Sequence, residues 1–232
     1  MRLAGGDGRR MLNALEVASV GTKRVEVADV ERAVGQRALR YGREEHYDVI
    51  SAFIKSVRGG DPDAALHYLA RMLEAGEDPV FVARRLVILA SEDIGNADPY
   101  GLPLAVSAAE AVRLIGMPEG RIPLAQATTY LATAPKSNAA YTGINAALAD
   151  LRHEITPEVP LHLRNAVTGL MKEEGYGSGY RYAHDDEPQG MNDTYLPEEL
   201  SDHVYYHPRE SGSEAEIKAR LQRWRDERER RK

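Results

Sequence analysis

One dipeptide organises this chain: Asp-Pro occurs at Asp61-Pro62, Asp78-Pro79 and Asp98-Pro99. An aspartate just ahead of a helix accepts hydrogen bonds from the unpaired amides of the first turn. A proline in the first helical position gives up no needed donor and already holds helical φ. Each pair therefore predicts a helix start. The starts lie 17 and 20 residues apart, which leaves room for a helix of about three to four turns and a short connection, so successive helices should pack antiparallel.

The apolar spacing between the starts agrees. Tyr47, Ile50, Phe53, Ile54 and Val57 share one helical face, followed by Leu66, Leu69, Met72 and Leu73, then Val82, Leu86 and Leu89. Gly59-Gly60 and Gly76 supply stops. Further helices are predicted from Pro99 to Ile115, ended by Gly116, and from Pro123 to Ala132, stopped by Pro135. Ser137 can cap the next, whose stripe Ala140, Tyr141, Ile144, Ala147, Leu148 and Leu151 runs to Arg152, and Leu161 to Lys172 completes the set. No convincing alternating strand interrupts this body, so the fold class is all-α: a compact multi-helix domain, which the resemblance given below makes collar-like. With Phe only 2 and Trp 1, its core must be built from Ala, Leu, Val and Ile. Alanines such as Ala105, Ala108, Ala109, Ala139, Ala140, Ala146 and Ala147 let helices approach closely, on more than one face.

The flanks read differently. At the front, residues 9–19 form a helix, Val25 to Val27 a short extended piece and Asp29 to Ala38 another helix. Two helices cannot bury both their faces alone, so this end resembles the edge of another domain. Residues 173–212 are rich in Gly, Pro, Tyr and His and should form a loop-rich strap over the helices. Beyond it Ser213 and Glu216 make a capping box, and Ile217, Leu221 and Trp224 a stripe that ends before Arg228. The last helix should dock through its first half and fray from Glu227 to Lys232. The organisation is thus 1–44, 45–172 and 173–232.

Charge sets limits on function. Residues 46–210 carry 13 basic and 24 acidic side chains, whereas residues 1–45 carry 9 and 7 and residues 211–232 carry 8 and 5. An acidic body repels phosphate, so any nucleic-acid contact made by this segment should be local. The chain has no cysteine, which excludes disulfides, thiolate zinc sites and cysteine nucleophiles and suits a reducing cytoplasm. No apolar run approaches the roughly 20 residues of a membrane span, so no membrane partner is expected.

Catalytic signals are sparse. A phosphate loop of the form G-x-x-x-x-G-K-[ST] is absent. Gly175 to Gly179 lacks a basic helix start after it and reads as a surface loop. His203 and His207, with His184 and Asp185 upstream, could be offered as metal ligands of a hydrolase, but the intervening Val204-Tyr205-Tyr206 and following Pro208 favour extended chain, which sets the two imidazoles about 13 Å apart. No metal site is assigned. A free-standing helical adaptor is the other alternative that the helix spacing permits. The sharper motif is Gly6-Asp7-Gly8-Arg9-Arg10, where a glycine turn opens a helix with guanidinium groups that can meet a phosphate.

These residues carry a resemblance. Gly6 to Arg10 followed by Met11-Leu12-Asn13-Ala14-Leu15-Glu16 resembles the sensor-2 helix in the lid of AAA+ ATPases of the clamp-loader group. The strings His46 to Ser56, Asp61 to Leu66, Ala90-Ser91-Glu92-Asp93-Ile94-Gly95 and Ala134-Pro135-Lys136-Ser137-Asn138-Ala139 resemble the carboxy-terminal half of the RarA/MgsA branch, whose eukaryotic relative is the Werner helicase-interacting protein. The likeness continues through Val159 to Arg164 and Gly175-Tyr176-Gly177 to Tyr195-Leu196-Pro197 and Tyr205-Tyr206. It implies that residues 1–44 are the end of an AAA+ lid, that residues 45–172 form a collar assembling homotetramers, and that Arg9 is the sensor-2 arginine reaching the γ-phosphate of ATP. It implies work at stalled replication forks and DNA ends, in the cytoplasm in association with the nucleoid. The implied partners are further copies of the chain, its own amino-terminal AAA+ module, DNA and single-stranded DNA-binding protein. ATP and Mg²⁺ would be cofactors of the full-length protein and none is expected for this chain, which by itself should not be an enzyme.

Overall fold

The structure, a computed structural model, describes residues 24–34, 43–153, 157–180 and 195–231, with residues 12, 15, 16, 18, 19 and 182. Helices dominate and no strand occurs among the described residues. Contacts divide the chain into two units, Met1–Asn138 and Ala139–Lys232.

In the first unit, Leu12, Leu15, Glu16, Ala18 and Ser19 are helical, as expected for residues 9–19. Helix α1 spans Val27–Val34 and opens two residues before the expected Asp29. The Glu26 amide donates to Asp29 Oδ2 at 3.0 Å, so Asp29 serves the turn from inside the helix. Residues 35–38 lie outside the described residues. Then come α2 (Arg43–Gly59), α3 (Pro62–Glu74), α4 (Pro79–Leu89), α5 (Gly101–Ile115) and α6 (Arg121–Thr133). Asp61 accepts from the Ala64 amide and Asp78 from the Val80 amide, each at 2.9 Å, with proline next in line, as the dipeptide requires. The stops hold too: Gly60 and Gly76 both take φ of 83°, a region where only glycine is unstrained.

The third Asp-Pro behaves differently. Asp98 Oδ1 accepts from the Tyr100 amide at 3.0 Å and its backbone carbonyl from the Gly101 amide, forming a turn, and α5 begins only at Gly101. A Cβ at Gly101 would stand 3.1 Å from Ile94 Cγ2, so the helix starts where its backbone presses against a buried isoleucine.

Helix α6 touches each of α2, α3, α4 and α5. One core results, containing Phe53 and Val57 of α2, Leu69 and Met72 of α3, Leu86 and Leu89 of α4, Val112 of α5, and Leu124 and Leu131 of α6. Tyr47 is exposed rather than sharing the α2 core face, whose place is taken by Val49. Ala105, Ala108 and Ala109 are buried in this core, so these alanines serve the packing of a single unit.

The second unit opens with α7 (Ala139–His153). The single helix expected from Leu161 to Lys172 does not form. Leu161–Leu163 is one 3-10 turn, Arg164 is extended, and a short α8 (Gly169–Glu173) begins after Thr168, whose hydroxyl accepts from the Met171 amide. Leu161, Val167 and Leu170 are all exposed, so the apolar spacing there has no core to face. Arg164 holds the bend instead, donating to the Val159 carbonyl and to Glu158, each at 2.6 Å, with its guanidinium 5.3 Å from the Tyr176 ring.

The last helix, α9, runs over Glu214–Arg231, through the stretch expected to fray. Near its start, Glu214 ties the helix to the segment before it. The Glu214 carboxylate is fully buried and accepts from the Tyr206 hydroxyl at 2.7 Å and the Arg209 amide at 3.1 Å. The segment before it straps α7 as expected of a tyrosine-bearing loop: Tyr205 donates to Asp150 at 2.8 Å, and a Cβ on Gly143 would lie 2.9 Å from the Tyr205 carbonyl oxygen.

Candidate functional site

The isolated candidates separate first. Arg9, with Arg10, lies outside the described residues, as do His184 and Asp185; no geometry toward a nucleotide follows from Arg9. His203 Nε2 stands 3.6 Å from Asp150, and His207 Nε2 lies 2.8 Å from the Val204 carbonyl oxygen. The two histidines therefore engage different groups. No cluster of three metal-ligating side chains exists among the described residues. Gly175, Gly177 and Gly179 take positive φ, and the Gly177 amide donates to the Leu161 carbonyl at 2.8 Å, which makes this loop a bend that closes on its own unit.

Two of the strings that carry the family resemblance meet in space. The first, around Ala90–Ile94, forms a single π turn at the end of α4. A π turn inserts one residue into a helix and re-aims the side chains near it, and such turns recur at functional sites. Here it turns Asp93 inward, where it is buried. Arg58, in the last turn of α2, donates through Nε to Asp93 Oδ1 at 2.6 Å and through Nη2 to Glu92 at 3.2 Å. The second string supplies the Ser137 amide, which donates to the Asp93 carbonyl at 2.8 Å. Gly95, with φ of 51°, passes beneath: a Cβ there would sit 2.8 Å from the Ser137 carbonyl oxygen. Lys136 donates to the Ala132 and Ala134 carbonyls at 2.9 and 2.6 Å. Burial lowers its pKa from the ordinary lysine value, while the charge of Asp93 acts in the other direction. Asp93 Oδ2 is buried without a hydrogen-bond partner. Neither string announces this pairing by its composition; the signal was that both carry the resemblance.

A second feature is apolar. On α7, Tyr141, Ile144, Leu148 and Leu151 lie at i, i+3, i+7 and i+10, the alternating three-and-four spacing of a helix-pairing seam. They are 46%, 56%, 40% and 49% exposed. The helical stripe expected from Ala140 to Leu151 forms, but its large apolar members do not enter a core. On the first unit Leu114, Ile115 and Ile122 are likewise exposed around the α5–α6 connection. Among the described residues no helix is long and apolar enough to cross a membrane, so these faces do not belong to a helical span.

Comparison with known proteins agrees with the strings. Residues 59–225 match the family described as MgsA AAA+ ATPase C terminal, and residues 1–58 the family described as AAA C-terminal domain. An AAA domain-containing protein of Mycobacterium tuberculosis, described as uncharacterized, is 53% identical over 231 residues, covering 97% of this chain and 51% of the relative. Replication-associated recombination protein A of Escherichia coli strain K12 is 45% identical over 229 residues, 94% of this chain and 51% of the relative. ATPase WRNIP1 of Dictyostelium discoideum is 44% identical over 167 residues, 71% of this chain and 19% of the relative. The chain thus spans about half the length of the bacterial relatives it matches. By matched residues, by identity and by the all-helical fold, this chain belongs to the MgsA/RarA family of AAA+ ATPases and corresponds to its carboxy-terminal part.

Proposed function

We propose that the chain is the assembly half of a replication-associated recombination ATPase that acts at stalled forks and DNA ends. It forms a homotetramer through the helices between about residues 46 and 172 and thereby gathers AAA+ modules around DNA. Hydrolysis belongs to the part of the longer relatives that this chain does not span, where ATP and Mg²⁺ are held, and Arg9 contributes the sensor-2 guanidinium to the γ-phosphate. DNA and single-stranded DNA-binding protein are partners of the whole protein, which works in the cytoplasm with the nucleoid.

The observation that supports assembly is the α7 stripe. Four large apolar side chains stand in a row on one helix, exposed, at a spacing that pairs helices. Light scattering on the chain tests the reading: a tetramer mass is expected at micromolar concentration, falling toward the monomer in Leu148→Glu with helix content unchanged. A monomer mass for the unaltered chain, at moderate salt, removes the assembly role and returns the molecule to a helical adaptor. ATP turnover that survives repurification and is lost on mutation of this chain would overturn the division of labour.

A further inference from the structure

The polar junction of the first unit lies on its way out. This unit ends at Asn138, and segment 134–138, between α6 and α7, is the last of it. That segment is held by three separate devices, all of them converging near Asp93. The Ser137 amide donates to the Asp93 carbonyl at 2.8 Å. The Lys136 ammonium folds back on the Ala132 and Ala134 carbonyls. Gly95, which ends the π turn that carries Asp93, leaves room for the Ser137 carbonyl that any side chain would fill. The position of Asp93 in turn depends on Arg58: the carboxylate is buried, and Arg58 is its hydrogen-bonding cation, at 2.6 Å. Taking that cation away leaves a buried charge poorly compensated, and swinging the carboxylate toward water would relieve it. Such a swing carries the Asp93 carbonyl with it.

Arg58 is also the last residue of the stretch matched as AAA C-terminal domain, whereas Asp93 and Ser137 belong to the MgsA C-terminal match. The ion pair of Arg58 with Asp93 therefore ties the end of α2 to the anchorage of segment 134–138. We propose that Arg58, Asp93 and Ser137 form a latch: with Arg58 seated on Asp93 the segment is held against the first unit, and displacement of α2 that withdraws Arg58 releases it. The π turn is the element with two arrangements, and Ser137 is the group that reads them. This device is independent of whether the chain assembles with copies of itself or meets DNA.

Trypsin provides the probe, because the Lys136–Ser137 bond lies inside the held segment. The whole chain is digested briefly under native conditions, and fragments 1–136 and 137–232 are followed by mass. In Arg58→Met and in Asp93→Asn, cleavage after Lys136 should rise at least tenfold, while cleavage after Arg85, in the middle of α4, stays at the unaltered rate. Glu92→Gln, which removes only the outer, more exposed partner, should raise it far less. Equal cleavage after Lys136 in all proteins overturns the latch. So does a parallel rise after Arg85, or failure of both principal variants to fold, since the pair then supports the whole unit and not the segment. Hydrogen exchange on the unaltered chain gives an independent reading: the Ser137 amide should exchange at least tenfold more slowly than in an unstructured peptide, and exchange at the peptide rate overturns the proposal.

Discussion

The two units are held together by different physics. Up to Asn138, the chain buries large apolar side chains from five helices in one cluster, and its polar side chains tie turns and exits to that cluster. Beyond it, among the described residues, Ala139 and Leu200 are the buried apolar side chains, and what organises the unit is a set of directed bonds: Tyr205 to Asp150, Tyr206 and the Arg209 amide to Glu214, Arg164 to its bend. The first unit gathers Phe53, Val57, Leu69, Leu86, Leu124 and Leu131 into a core. The second presents Tyr141, Ile144, Leu148 and Leu151 to the outside. Since burial of apolar surface is the main drive to fold, the first unit draws its stability mainly from its core, whereas the second leaves the largest apolar row of its own helix α7 unburied.

That contrast can be attacked experimentally, beginning with the largest expected effect. Phe53→Ala empties the centre of the first unit and should cost about 3–5 kcal/mol, read as a lowered denaturant midpoint of the helical signal. The only tryptophan of the chain, Trp224, lies in α9, so its emission reports the second unit alone. If the contrast is right, the Trp224 transition stays in place in this variant; a shift equal to that of the helical signal would mean that one core supports both units.

Glu214→Ala comes next. It removes the carboxylate that accepts from the Tyr206 hydroxyl and the Arg209 amide and should cost the second unit about 1–3 kcal/mol, visible in Trp224 emission and in faster amide exchange over residues 203–209, with the first unit unaffected. An apolar truncation that left this unit undisturbed would show that its bonds are decoration and that some apolar contact organises it after all.

Tyr130→Phe tests a polar tie in the apolar unit. The Tyr130 hydroxyl donates to Asp98 Oδ2 at 2.7 Å, and its loss should cost about 1 kcal/mol or less. The hydrogen bond to Asp98, with burial behind it, raises the tyrosine pKa above its ordinary 10.0. The folded state thus holds the phenolic proton more tightly than the unfolded one. The contribution is complete below pH 10.0 and disappears as pH rises through the higher folded value, so the difference between Tyr130→Phe and the unaltered protein should vanish on that alkaline limb. The smallest effect belongs to Glu210, whose pKa is lowered from 4.5 by the hydrogen bond and charge of Lys218. Its contribution exists above pH 4.5 and is lost as pH falls through the lowered folded value; on an exposed surface pair the step should be barely measurable in Lys218→Met.

Much of the first unit was legible because its signals are local. Asp61-Pro62 and Asp78-Pro79 cap helices with their own side chains, and Gly60 and Gly76 stop them through φ. The same dipeptide at Asp98 misled by two residues because the deciding contact, Gly101 against Ile94, is tertiary. Residues 161–172 misled more, since Leu161, Val167 and Leu170 have helical spacing but no core to meet, and a single arginine sets the path. Glu214 was missed beside the better-known pattern of Ser213 and Glu216, because its partners, Tyr206 and Arg209, lie on a strap whose course no periodicity encodes. The junction of Asp93 with Ser137 was invisible for the same reason: a π turn leaves no mark in the spacing of apolar residues, and the bond it makes spans two helices.

The glycine notch on α7 also has a consequence in time. Gly143 accommodates the Tyr205 backbone only when the turns above and below it are already helical, and the tyrosine that locks the crossing follows its acceptor Asp150 by 55 positions. During synthesis, therefore, α7 leaves the ribosome long before its cover exists. For that interval the helix shows two uncovered sides: a shallow one of small residues around Gly143 and Ala147, to which little adheres, and the row from Tyr141 to Leu151, to which much can. The strap can close only the first. A nascent chain of this kind reaches its finished form in a set order, helix before strap, and the row stays uncovered from the moment that helix emerges.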